Sequence, residues 1–163
     1  MGKGGVVLDL DADFSSLPLD RLSGAALEAM GSIPGLEYGD LRVHRDKVQG
    51  IHVRERDLIS LSDSQPQGFG VRVVVDGSFG FAASSELSQD AVAKAVRAAA
   101  EMARQLRPLL DERVQLAEEP PHQERWQAPV ELNPFDVPAE RKVAFLIEAT
   151  GAALDVGAQY AEF

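Results

Sequence analysis

A chain of 163 residues, 45% of them hydrophobic, is long enough to bury a core and short enough to predict one compact domain. Its 16 lysines and arginines against 26 aspartates and glutamates leave a formal charge of -10, which repels a phosphate backbone and an anionic membrane leaflet alike, so neither nucleic acid nor membrane is expected as a partner. The absence of cysteine removes a disulfide framework and a thiolate zinc site, and the expected location is the cytoplasm.

The opening "MGKGGVVLDLDADFSS" has an apolar patch broken at once by Asp9, Asp11 and Asp13, too short for a signal sequence or a membrane span. Residues 1–16 therefore read as a flexible lead-in, and residues 17–163 as a single α+β domain. From Leu17 to Met30 the apolar positions Leu19, Leu22, Ala26, Ala29 and Met30 fall at helical spacing, with Ser16 as N-cap and Gly31 as stop. The period then changes to two. Leu41 and Val43 alternate with Arg42 and His44, Ile51 and Val53 alternate with His52 and Arg54, and Leu58–Ser62 reads as a third strand. Val71, Val73 and Val75 share one face while Arg72 and Val74 take the other. Asp76-Gly77 is the pair that a type I′ hairpin requires, and Phe79 and Phe81 return on the partner strand. Five strands with short links predict an antiparallel meander carrying packed helices.

The next helix has the strongest signals. Ser88 is an N-cap, Leu87 and Val92 form a hydrophobic staple, and Asp90 suits the helix dipole. Val92, Ala95, Val96, Ala99, Met102, Ala103 and Leu106 make an apolar stripe, Lys94, Arg97, Glu101 and Arg104 face water, and Pro108 ends the element. Its alanines predict a helix lying close on the sheet. Between Leu110 and Pro138 the proline-rich text predicts an extended surface segment pinned by Trp126 and Phe135. A last helix is expected from Asp136 and Pro138 to Leu154, burying Val143, Leu146, Ile147 and Leu154. "AQYAEF" then reads as a strand without a partner, as in a domain cut before its last strands.

Chemistry-bearing residues are sparse. His44 and His52 lie on neighbouring predicted strands, yet two histidines without a third ligand read as surface residues rather than half a metal site. His122 and Glu124 lack the second imidazole, one helical turn away, that a zinc-peptidase helix needs. Gly68, Gly70 and Gly80 suggest a phosphate loop, but "GFG" precedes strand rather than helix, which argues for close backbone approach or a bulge instead. Ser84 and Ser85 lack the glycines of a nucleophile elbow and read as turn and capping residues, and Glu118-Glu119 as solvated charge. No catalytic, cofactor-binding or metal-ligating residue is assigned to the chain.

The run "LEYGDLRVHR", followed by "QGFGVRVVVDGSFGFAASSELS", the alanine-rich helix and "NPFDVPAERKVAFLIEA", resembles the N-terminal domain of the TldD/PmbA family, formerly called modulators of DNA gyrase and regarded as metallopeptidases. The resemblance spans Leu36 to about Leu154. "YGDLRV" at Tyr38–Val43 and "QGFGVRV" at Gln67–Val73 look more like the TldD side than the PmbA side. It implies a zinc site, with an HExxxH helix and a further ligand, outside this domain. This chain itself is expected to hold no cofactor and to be inactive alone. The implied role is a non-catalytic wall that, with a C-terminal metallopeptidase domain and a PmbA-like partner subunit or a second copy, encloses a chamber for unfolded peptides. The alternative is a stand-alone protein-interaction module, including a gyrase-related regulator, without peptidase activity.

Overall fold

The computed structural model describes residues 11–163, so the first ten residues of the expected lead-in lie outside the described residues. Its elements run as a short 3-10 turn at Ala12–Ser16, helix α1 (Leu19–Gly31), strands β1 (Leu36–Arg45), β2 (Val48–Arg54), β3 (Asp57–Ser64), β4 (Gln67–Val75) and β5 (Ser78–Ser84), helix α2 (Gln89–Leu106), and helix α3 (Ala139–Asp155). The fold is α+β with antiparallel strands, as expected. The strands form two sheets, one ordered β1-β4-β5 and the other β2-β3. Consecutive pairing, the rule of a meander, holds for β2 with β3 and for β4 with β5. β1 skips the hairpin and pairs with β4, from Leu36 opposite Val75 to Arg45 opposite Gln67. The chain groups into two compact units, Asp13–Arg45 with Pro66–Gln123, and Asp46–Gln65 with Glu124–Phe163, where the sequence reading took residues 17–163 together.

In the first unit, α2 covers β4 and β5 on one face and α1 packs on α2. The core joins Leu22, Ala26 and Met30 of α1, Phe69, Val71, Val73 and Val75 of β4, and Val92, Val96, Ala99 and Ala103 of α2. Each fully buried valine contributes about 1.5–3 kcal/mol by leaving water. Met102 and Leu106, expected in the stripe of α2, are exposed, whereas Ala100 is buried. The buried face is narrower than the pattern and built of smaller side chains, which lets the helix approach closely. Gly80 shows how closely: a Cβ there would stand 1.8 Å from the Ala99 carbonyl oxygen. Ser88 caps α2 as expected, its hydroxyl accepting from the Ala91 amide at 3.1 Å, and Leu87 packs on the core that holds Val92.

The β4–β5 turn has Asp76 at φ 50 and Gly77 at φ 76, the two left-handed positions of a type I′ hairpin. The start of α1 differs from expectation. Ser16 sits in the 3-10 turn, its hydroxyl donating to the Asp13 carbonyl, and Pro18 occupies the N-cap. A residue before proline is pushed out of the helical region, so Leu17 cannot belong to the helix that Pro18 opens. Gly31 is the last helical residue rather than the stop, and Ser32 caps the end by donating to the Ala29 carbonyl.

In the second unit, α3 packs on β2 and β3. Val53 and Thr150 are fully buried, and the Thr150 hydroxyl is satisfied by the Leu146 and Ile147 carbonyls. Val143, Leu146, Ile147 and Leu154 are half-buried. β3 is exposed along its whole length, so its expected half-burial is not found. Trp126 is 77% exposed and pins nothing, while Phe135 lies beneath the Lys142 ammonium, 5.7 Å from the ring centre. The terminal residues do have a partner: Val53 and Phe163 exchange both backbone hydrogen bonds at 3.0 Å, and Glu55 donates to the Ala161 carbonyl at 2.7 Å. They line the side of β2 away from β3, which corrects the expectation of an unpaired strand.

Candidate functional site

The three-stranded sheet has one face under α2. The alternation of its strands turns Tyr38, Asp40 and Arg42 of β1, Arg72 and Val74 of β4, and Phe79 and Phe81 of β5 to the other. Here the two stretches that carry the family resemblance meet. Arg72 donates through Nε and Nη2 to Asp40 Oδ2 at 3.0 and 2.7 Å, and through Nη2 to Tyr38 Oη at 3.3 Å. Tyr38 Oη donates to the same Asp40 oxygen at 2.7 Å, and the guanidinium stands 5.5 Å from the tyrosine ring centre. Arg42 Nε approaches Asp40 Oδ1 at 3.3 Å. The hydrogen bond with Asp40, then that with Tyr38, raises the Arg72 pKa above its ordinary value, against a smaller lowering by burial. Arg72 thus stays charged at any working pH and cannot move a proton. Phe79 and Phe81, 39% and 55% exposed, flank this triad. The face thus presents exposed aromatic rings beside polar groups held in fixed geometry.

A second feature lies within the other unit. Gln49 and Ile51 of β2, Leu132 and Val137 of the preceding segment, and Arg141, Lys142, Phe145 and Leu146 of α3 line an open groove of about 600 Å³. Leu132 and Phe145 form its exposed apolar walls. Lys142 Nζ donates to Gln49 Oε1 at 2.5 Å, which fixes the ammonium at the polar end.

The residues weighed from sequence are placed as follows. His44 stands on β1 opposite Gly68, and His52 on β2, where its Nε2 contacts the Glu162 carboxylate. The two histidines belong to different units. His122 Nδ1 lies 3.3 Å from the Pro120 carbonyl. Among the described residues, no three His, Asp or Glu side chains group so that they can hold a metal ion. Gly68 and Gly80 serve close approach: a Cβ at Gly68 would meet the Ser84 carbonyl at 2.7 Å, while at Gly70 it would touch the Phe81 ring at 3.0 Å. Ser84 Oγ accepts from the Glu86 amide, a turn contact. Glu118 and Glu119 are exposed. The Tyr38–Asp40–Arg72 triad escaped the sequence reading, although a single arginine among the valines of "VRVVV" was its visible sign.

Residues 39–103 match the family model described as PmbA/TldA metallopeptidase domain 1. No curated protein matches the chain. Among solved structures, the fold is similar to a candidate modulator of DNA gyrase from Bacteroides thetaiotaomicron, with a TM-score of 0.62 and 13% identity over 88% of this chain and 32% of that one. TldE from Thermococcus kodakarensis gives a TM-score of 0.47 and 15% identity, over 83% of this chain and 28% of that one. The chain thus spans about a third of the length of the solved proteins it matches.

Proposed function

We propose, from the match of residues 39–103 to the model of PmbA/TldA metallopeptidase domain 1, that the chain is the N-terminal, non-catalytic wall domain of a TldD-like zinc metallopeptidase acting on unfolded peptides in the cytoplasm. One observation carries the reading: the motifs of the resemblance converge on an exposed face where Tyr38, Asp40 and Arg72 are locked together beside two exposed phenylalanines. Apolar surface held at fixed geometry beside satisfied polar groups is what a docking wall needs, and here the Asp40 carboxylate and the Tyr38 hydroxyl are engaged by each other and by Arg72. The described residues offer no ligand set for zinc, so no catalytic step is assigned to them. In the proposal the HExxxH helix, the zinc and the PmbA-like or identical partner subunit come from outside these 163 residues. No helix among the described residues is long and apolar enough to cross a membrane.

Two measurements test this. Elemental analysis of the dialysed chain is expected to find far less than one zinc per chain, and stoichiometric zinc would overturn the assignment of the metal elsewhere. The longer protein containing this domain, zinc-loaded and combined with its partner, is expected to cleave an unfolded peptide and spare a folded one. A reading frame without an HExxxH helix, or a loaded complex that leaves unfolded peptides intact, would overturn the peptidase reading.

A further inference from the structure

The unit formed by Asp46–Gln65 and Glu124–Phe163 distributes its positive charge unevenly. Arg54 lies 3.8 Å from Glu162 and Arg56 2.5 Å from Asp155, and Lys47 and Arg125 have interactions of their own. Arg141 and Lys142 have no carboxylate within ion-pair distance among the described residues. Lys142 is held by the neutral amide of Gln49 and by the Phe135 ring, contacts that position the ammonium without cancelling its charge. Asp136, close in sequence, is instead engaged by the Asn133 side-chain amide at 3.2 Å. Two uncompensated cations in a chain of net charge -10 thus border the apolar groove walled by Leu132 and Phe145.

We propose that this groove binds an extended peptide segment in which apolar side chains stand next to aspartate or glutamate. The apolar groups enter between Leu132, Phe145 and Leu146, and the carboxylate meets Arg141 and Lys142. Charge complementarity selects this occupant. A purely apolar segment would leave both cations unanswered, and a basic one would be repelled by them. A volume of about 600 Å³ lies within the range of sites that accept small ligands or a few side chains. The proposal rests on the peptide-processing reading above for the source of the segment, an unfolded substrate chain, and its test reads binding alone.

Fluorescence anisotropy of the purified chain is measured with a capped, labelled peptide of alternating leucine and glutamate, beside a counterpart with glutamine for glutamate. The acidic peptide is expected to bind about tenfold more tightly, a margin typical of one charged hydrogen bond, and the margin shrinks at high salt. Arg141→Gln should shrink the margin, because Lys142 still answers the carboxylate, and Arg141→Gln combined with Lys142→Gln should abolish it. Phe145→Ala should weaken both peptides. Phe145 is 68% exposed and Arg141 is exposed, so both variants are expected to keep the parent circular dichroism spectrum. Equal affinities for the two peptides, a margin that survives the double substitution of Arg141 and Lys142, or no binding at all would each overturn the proposal. So would a dimer seen by sedimentation that Phe145→Ala dissolves, because the groove would then hold a second copy. None of these results bears on cleavage by the longer zinc-loaded protein, so the two readings fail separately.

Discussion

Adding one methyl group at Gly80 tests whether helix and sheet are as closely fitted as the alanine pattern implied. In Gly80→Ala the new carbon would stand 1.8 Å from the Ala99 oxygen, 2.8 Å from its carbonyl carbon and 3.0 Å from the Ala103 nitrogen, all backbone atoms of α2. No rotamer relieves such a clash. To restore even 3.0 Å, the oxygen must move from 1.8 Å, a retreat of about 1.2 Å if the helix moves as a body. A gap of that size around Val92, Val96 and Ala103 forfeits a large part of their dispersion contacts with β4 and β5. Overpacking costs about 1–3 kcal/mol, and a rigid backbone obstacle places this case at the upper end, about 3 kcal/mol. For a chain of this size the midpoint of thermal unfolding should fall by about 6–12 °C. Gly24→Ala is the control, because nothing lies within 4 Å of a Cβ in the middle of α1. There the substitution should stabilise by about 0.5–1 kcal/mol through helix propensity. Thermal and urea unfolding followed by circular dichroism measure both. A Gly80→Ala protein as stable as the parent would refute the close fit of α2 on β5.

Gly77→Val places a β-branched residue at φ 76 against the Arg113 side chain and should cost about 1–3 kcal/mol; an unchanged urea midpoint would remove the turn assignment. Asp40→Asn should cost only about 0.5–1.5 kcal/mol, because the Arg72 and Asp40 side chains keep 42% and 20% of their exposure and water screens the pair, as denaturant titration can check. Hydrogen exchange should find the Val53, Glu55 and Phe163 amides slower than those of Gln159 and Tyr160, and deleting Ala158–Phe163 should make Val53 and Glu55 exchange fast. Equal rates before and after the deletion would show that the terminal pairing does not persist in solution.

What the sequence revealed divides along a physical line. Features set by a few adjacent residues were legible: Ser88 with Leu87 and Val92 marked the start of α2, and Asp76-Gly77 marked the hairpin. Period-two alternation located all five strands, but it records which side chains share a face and not which strand lies alongside. The skip from β1 to β4 therefore left no local sign. Leu58, Ile59 and Leu61 carry the apolar character of a half-buried strand, yet β3 stands exposed because burial depends on what packs above it. The convergence of Tyr38 and Asp40 with Arg72 depends on the β1–β4 register, in which Asp40 lies opposite Arg72. Register is a non-local quantity, and only the chemistry of the separate residues could be read beforehand.

The departure of the chain at Arg45 and its return at Gln67 bear on how the first unit assembles. These residues are cross-strand partners, and Arg45 Nε donates to Gln67 Oε1 at 3.0 Å, so the excursion between them starts and ends at one point of the sheet. β4, β5 and α2 are contiguous in sequence and can nucleate together, whereas β1 must wait for the excursion to close, an entropic delay that grows only slowly with its length. The β2–β3 hairpin is topologically a cassette. Replacing Asp46–Pro66 by a tight two-residue turn should join β1 directly to β4, preserve the core beneath α2, and make that unit fold faster than the chain that carries the insertion.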